Sequence, residues 1–92
     1  MNFEGANLER ATINGNLQYV NLNHANLTNA RLGGTFDNVS FTGANLQGVD
    51  LINKTDLRGA KNLNLPWRKI KQAEHYGCKF GPWTKLKARI RG

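Results

Sequence analysis

The sequence has little of the chemistry on which secreted, membrane and metal-binding proteins depend. Its one cysteine, Cys78, excludes an internal disulfide and suits a reducing compartment. No apolar run approaches the roughly 20 residues that a membrane-spanning helix needs, and no signal-peptide pattern is visible. We therefore expect a cytoplasmic protein that has no membrane partner.

Catalytic arrangements are also missing. The sequence shows no Ser/His/Asp set, no phosphate-cradling glycine loop and no isolated pair of carboxylates. His24 has no ligand at metal spacing, and the H-x-x-C pair His75 and Cys78 supplies too few ligands for zinc. No general base can be placed beside Cys78, so we interpret it as a packing residue. The predictions are no enzyme activity, no cofactor and no metal.

What the sequence has instead is a period of five residues between Met1 and Gly59. A large apolar residue, called a centre below, recurs with a polar residue directly before it and a mostly small residue two positions before it. The twelve centres are predicted to form the core: Phe3, Leu8, Ile13, Leu17, Leu22, Leu27, Leu32, Phe36, Phe41, Leu46, Leu51 and Leu57.

A period of five fits neither a helix of 3.6 residues per turn nor a flat strand of period 2. The chain is therefore predicted to turn a corner every five residues, so that four sides close one coil. Two shorter steps between centres, Ile13 to Leu17 and Leu32 to Phe36, lie 19 residues apart and fall on the same corner of successive coils. The repeats predict about three coils, with the centres stacked in columns.

The stretch GANLQGVDL, residues 43–51, carries the motif most clearly. It resembles the pentapeptide-repeat family, whose motif is a small residue, Asn or Asp, Leu or Phe, a polar residue, and then Gly or a polar residue. The resemblance covers about two thirds of the chain. It implies an all-β solenoid of the right-handed quadrilateral β-helix type, in which the centres and the small residues point inward.

Tight corners often need a positive φ, which glycine and asparagine tolerate best. Six such residues follow the centres and are predicted at corners: Gly5, Asn29, Asn38, Gly43, Gly48 and Gly59.

The columns also predict contacts between coils. Arg31 is expected to lie beside Asp50, and Asp37 beside Arg58, as exposed ion pairs worth at most about 1 kcal/mol each. His24 is expected at a solvated corner. An amide ladder is predicted along one further column, formed by Asn7, Asn26 and Asn45.

The first coil is expected to present an open rung of backbone donors and acceptors, because Met1 already occupies an inward position. Four alternatives are open for what covers this edge: frayed residues Met1 and Asn2, a partner, a second copy, or an upstream segment.

A short helix is predicted after the repeats, because Pro66 suits a first helical turn and Gly77 suits a helix end. The domain boundaries follow as 1–65 for the repeats, 66–77 for the helix and 78–92 for a tail. The segment is similar to the C-terminal module of quinolone-resistance pentapeptide proteins, which implies a cap and a homodimer contact. The residues in those roles would be Trp67, Ile70, Ala73, Tyr76 and Phe80.

The net charge of the protein lies in its last 26 residues, where eight Lys and Arg face a single acidic residue, Glu74. Residues 85–91 alternate basic and apolar side chains. We expect a strand because Gly81 and Pro82 precede this short run, although a helical spacing of its apolar residues is the alternative. The predicted binding partner of this segment is a phosphate backbone or an acidic protein, and the alternative is a tail that is merely solvated. The predicted binding residues are Lys79, Trp83, Lys85, Lys87, Arg89 and Arg91.

The predicted architecture is therefore a right-handed quadrilateral β-helix of about three coils with a C-terminal capping α-helix and a basic tail. Relatives that mimic duplex DNA occupy the DNA groove of gyrase, but the repeats here carry no net charge and do not fit that role. We predict a non-catalytic module, homodimeric, that binds and modulates a larger protein such as a topoisomerase, nuclease or phage-defence effector. Direct nucleic-acid binding by the tail and a purely structural scaffold are the alternatives.

Overall fold

The computed structural model describes residues 1–91, and the side chain of Arg91 lies outside the described residues. It contains a parallel sheet followed by two helices that flank a last short strand. The elements are β1 (Thr12–Gln18), β2 (Arg31–Ser40), β3 (Asp50–Leu51), β4 (Asp56–Lys61), α1 (Trp67–His75), β5 (Lys79–Phe80) and α2 (Pro82–Arg91).

Parallel pairing repeats along the chain with the predicted offset. Ile13 pairs with Leu32 and Leu17 with Phe36, so each residue of β1 meets one that lies 19 positions later. Isolated bridges outside the strands, such as Asn7 with Asn26, keep the same offset. The prediction that the repeats stack side on side in a parallel sheet is confirmed.

The core lies in the middle of the stack of centres. Six centres are buried, namely Leu22, Leu27, Leu32, Phe36, Phe41 and Leu57. Five more are partly buried and pack against this cluster: Leu8, Ile13, Leu17, Leu46 and Leu51. Phe3, in the first rung, is 38% exposed. Burial therefore rises from the first rung into the middle of the stack.

The asparagine column does not form the predicted amide ladder. The Oδ1 of Asn26 accepts the backbone N–H of Thr28 at 3.1 Å, and Asn7 and Asn45 bind the N–H two residues ahead in the same way. The turn holds this backbone N–H close to the asparagine oxygen, so the oxygen binds it rather than an amide on the next rung. The column stabilises each corner rather than linking the coils through side chains.

Five of the six predicted corner residues have a positive φ: Gly5, Asn29, Asn38, Gly43 and Gly48. The prediction for Gly59 is wrong, because this residue lies in β4 with an ordinary φ. A Cβ at Gly59 would instead lie 2.6 Å from the backbone oxygen of Phe36 and 2.8 Å from the Cα of Asp37. Glycine is required here by the close approach of a neighbouring strand.

One predicted ion pair forms and the other does not. Arg31 Nε lies 3.7 Å from Asp50 Oδ2, as the columns predict. Arg58 binds Asp56 instead of Asp37, with Nη2 to Oδ2 at 2.8 Å. Thr35 pairs with Asp56, but a register shift after it places Gly59 rather than Arg58 opposite Asp37.

Helix α1 begins after Pro66 and ends in a Schellman turn. The N–H groups of Gly77 and Cys78 donate to Glu74 O at 3.0 Å and Ala73 O at 3.1 Å, and Gly77 has φ +86°. This turn directs the chain into β5, which pairs in parallel with β4. The strand β5 therefore extends the sheet beyond the repeats.

The predicted strand over residues 85–91 is wrong, because these residues belong to α2. Pro82 occupies the first helical position, where it is favoured. Thr84 and Ala88, four residues apart, are buried on one side of the helix. No helix within residues 1–91 has both the length and the apolar character to cross a membrane.

Candidate functional site

Helix α2 has four distinct sides, each marked by two residues four positions apart. Thr84 and Ala88 are buried in the body of the protein, and they hold the helix in place. The remaining three sides face α1, the strand β4 and solvent. Each of them has its own chemistry.

The side toward α1 consists of Lys85 and Arg89. Lys85 Nζ lies 2.8 Å from Glu74 Oε2, and the guanidinium of Arg89 lies 5.5 Å from the centroid of the Trp67 ring. The hydrogen bond from Lys85 holds the pKa of Glu74 below its usual range, against the opposing effect of burial. Lys71 binds the same carboxylate at 3.7 Å and lies 5.6 Å from the same ring.

Two cations predicted to bind nucleic acid are thus engaged within the chain, where they join the two helices. The six predicted binding residues do not share one face. Lys79 is exposed in β5, away from the helix, and Lys87 faces β4. The side chain of Arg91, the sixth predicted binding residue, lies outside the described residues.

The side toward β4 borders a cleft. Trp83 and Lys87 from α2 line it together with Arg58 and Lys61 from β4. Arg58 and Lys61 were not predicted as site residues. They belong to the repeats, and no local pattern in the sequence places them beside a helix that begins about 20 residues later.

The outward side is apolar. Leu86 is 47% exposed and Ile90 is 76% exposed, and Trp83 beside them is 71% exposed. Leu86 and Ile90 are each two positions from a buried residue of α2, which is a rotation of about 200° around the helix. The part of this amphipathic helix that faces away from the body is therefore apolar, flanked by Lys87 on one edge and by Arg89 on the other.

The residues predicted for the cap and the dimer contact are mostly internal. Ile70, Ala73 and Phe80 are buried in the same core cluster as the repeat centres. Trp67 is partly buried, and Tyr76 is 54% exposed. Phe80 therefore has little surface to offer to a second copy.

The described residues hold no group of three or more His, Cys, Asp and Glu side chains that could bind a metal. Cys78 is buried with its Sγ 3.3 Å from Ile52 O, and the His75 ring packs edge-on against Tyr76 with centroids 5.1 Å apart. His24 lies at a corner with φ +59°. The contacts of Cys78 and His75 fit packing roles, and the corner position of His24 fits a solvated residue.

A family model of pentapeptide repeats matches residues 16–61 in eight copies, which is half of the chain. The chain belongs to the pentapeptide-repeat family. Pentapeptide repeats form β-helices, in agreement with the parallel stacking of rungs 19 residues apart. No curated protein and no solved structure matches the chain.

The match to the pentapeptide-repeat family ends at residue 61. The helices α1 and α2 and the strand β5 lie beyond it, so the family assignment describes the solenoid and gives no information on the function of α2. The similarity of this C-terminal part to the quinolone-resistance proteins stays a prediction.

Proposed function

We propose that this pentapeptide-repeat protein is a non-catalytic module that binds another protein through the outward side of α2. One observation carries the proposal: Leu86 and Ile90 are exposed on the side of the helix opposite to its buried residues. Single exposed apolar residues are common on protein surfaces and need no explanation. An apolar stripe at helical spacing on a docked helix is the usual ligand of a hydrophobic groove.

The solenoid makes α2 a rigid ligand. Thr84 and Ala88 are buried against the body, and Lys85 ties the helix to α1. A helix that is already ordered does not lose backbone conformational entropy when it binds, which favours affinity. We also propose that α1 covers the end of the stack, since Ile70 and Ala73 belong to the repeat core.

The charges around the stripe determine the partner's chemistry. Lys87 and Arg89 flank it, and the one acidic residue of the segment, Glu74, is bound by Lys85. A complementary groove is therefore apolar with an acidic rim. A basic groove that holds DNA would be repelled, so we propose a partner that is met outside such a groove, including when it is a nucleic-acid-processing enzyme.

The homodimer stays a prediction. Two α2 surfaces brought together would place their cations against one another, and like charges at an interface oppose association. Three of the five residues predicted for the contact are buried in the chain itself. We therefore favour a heterologous partner over a second copy for this surface.

Photo-crosslinking tests the proposal. A benzophenone amino acid is placed at Leu86 in the full chain, with exposed Gln47 on the solenoid as the matched control position. We expect a discrete adduct with a protein of acidic surface from position 86, weakened by Ile90→Gln and by added salt. Equal adducts from both positions, or an adduct at 86 that is insensitive to both changes, would contradict it.

A further inference from the structure

The cleft between β4 and α2 is a second surface with its own chemistry. It has a volume of about 390 Å³ and is bordered by Arg58, Lys61, Trp83 and Lys87. None of its lining residues is acidic. Three cations from two separate elements therefore meet around one concave surface.

The cations of the cleft differ in how free they are. Arg58 is held by Asp56, with Nε to Oδ1 at 3.0 Å and Nη2 to Oδ2 at 2.8 Å. Lys61 and Lys87 have no ion-pair partner among the residues that the structure describes. Two ammonium groups are thus available to an anion, and the attraction is not offset by a carboxylate in the cleft.

The start of α2 adds to this potential. Trp83 and Thr84 lie in the first turn of the helix and also line the cleft. The N–H groups of a first turn have no partner within the helix, and the helix dipole makes this end positive. Phosphate groups commonly bind where these two features coincide.

An aromatic ring completes the surface. Trp83 lines the cleft and is 71% exposed, so its indole face is available beside the cations. Unpaired bases stack on such rings, while nearby cations bind their phosphates. We propose that this cleft binds a nucleotide unit, with the phosphate at Lys61 and Lys87 and the base stacked on Trp83.

A nucleotide unit comes from single-stranded nucleic acid or from a free nucleotide, and the chemistry of recognition is the same. The proposal does not rest on the protein-binding function, because it needs no contact with Leu86 or Ile90, although Lys87 borders both surfaces. A Leu86→Gln variant should therefore retain nucleotide binding.

The experiment measures fluorescence anisotropy of a labelled oligothymidylate about 12 nucleotides long, at about 50 and 200 mM salt. For two phosphate contacts, the affinity should fall about sevenfold between these salt concentrations. The Lys61→Gln/Lys87→Gln variant should bind at least about tenfold more weakly and lose the salt dependence. Trp83→Leu should weaken binding about fivefold or more while keeping an apolar side chain.

The matched control is Arg68→Gln/Lys79→Gln, which removes two exposed cations that do not line the cleft. Its affinity should stay within about twofold of the wild type, and circular dichroism checks that every variant folds. Competition by adenosine monophosphate points to a free nucleotide, and failure of the mononucleotide to compete points to single strands; both support the site. Equal weakening in the control, indifference to Trp83→Leu, or no oligonucleotide binding would overturn it.

Discussion

Gly34→Ala is expected to destabilise the protein strongly. Gly34 has φ +89°, and a Cβ there would lie 2.1 Å from the backbone oxygen of Gly15 on the neighbouring rung. Gly15 and Gly34 are paired in the ladder between β1 and β2, so neither backbone can move away without breaking that ladder. The expected loss is at least about 4 kcal/mol, against a total stability of roughly 5–14 kcal/mol for a chain of this length.

Circular dichroism and urea unfolding measure this loss. The control is Gly5→Ala, because Gly5 has a similar φ of +69° but a Cβ added there would meet no heavy atom within 4 Å. The control should lose only about 1–2 kcal/mol, the cost of the left-handed backbone alone. Equal losses at the two positions would show that the close approach of the rungs is not the cause.

Phe36→Ala is expected to remove a large part of the stability of the solenoid. Phe36 is 1% exposed, and its ring centroid lies 6.0 Å from that of Phe41 in the middle of the stack. Truncation of a buried phenylalanine costs about 3–5 kcal/mol, because the lost contacts leave a cavity. The free energy of unfolding in urea measures the effect.

Two further variants delimit this result. Phe36→Leu keeps most of the volume and should cost less than about 1.5 kcal/mol. Tyr19→Ala, at a ring that is 72% exposed, should change stability by no more than about 0.5 kcal/mol. A Phe36→Ala loss as small as that of Tyr19→Ala would mean that the columns of centres do not form the core.

The solenoid could be predicted from the sequence because its inward positions must be filled in every rung. Leu32 and Phe36 fill inward positions of one coil, and the apolar residues Leu51 and Leu57 fill the corresponding positions of the next. The same physical requirement therefore recurs many times along the sequence. The two four-residue steps keep the same offset of 19, which fixes the pairing of Ile13 with Leu32.

Features that depend on one local distortion could not be predicted. The register shifts between the pairs Thr35 with Asp56 and Asp37 with Gly59, and this shift places Gly59 within a strand and Arg58 away from its expected partner. The asparagine side chains could likewise accept a hydrogen bond either from an amide on the next rung or from the backbone N–H two residues ahead. The backbone N–H is the nearer donor, and the column pattern contains no information on these distances.

The tail shows where a sequence pattern is ambiguous. Residues 85–91 alternate as a strand does, and their apolar members also fit a helix. Burial of Thr84 and Ala88 against the body selects the helix, and this contact depends on the position of the finished solenoid. The helix then separates the cations that a strand would have grouped, and it places Lys87 in the same cleft as Lys61.

Urea unfolding of the Leu86→Gln/Ile90→Gln variant tests most directly whether the outward side of α2 is free for a partner. Because both side chains are exposed in the isolated protein, their replacement should leave the free energy of unfolding within about 0.5 kcal/mol of the wild type. A loss of about 2 kcal/mol or more would show that these side chains are packed against the protein's own body, and the surface proposed for partner binding would not exist.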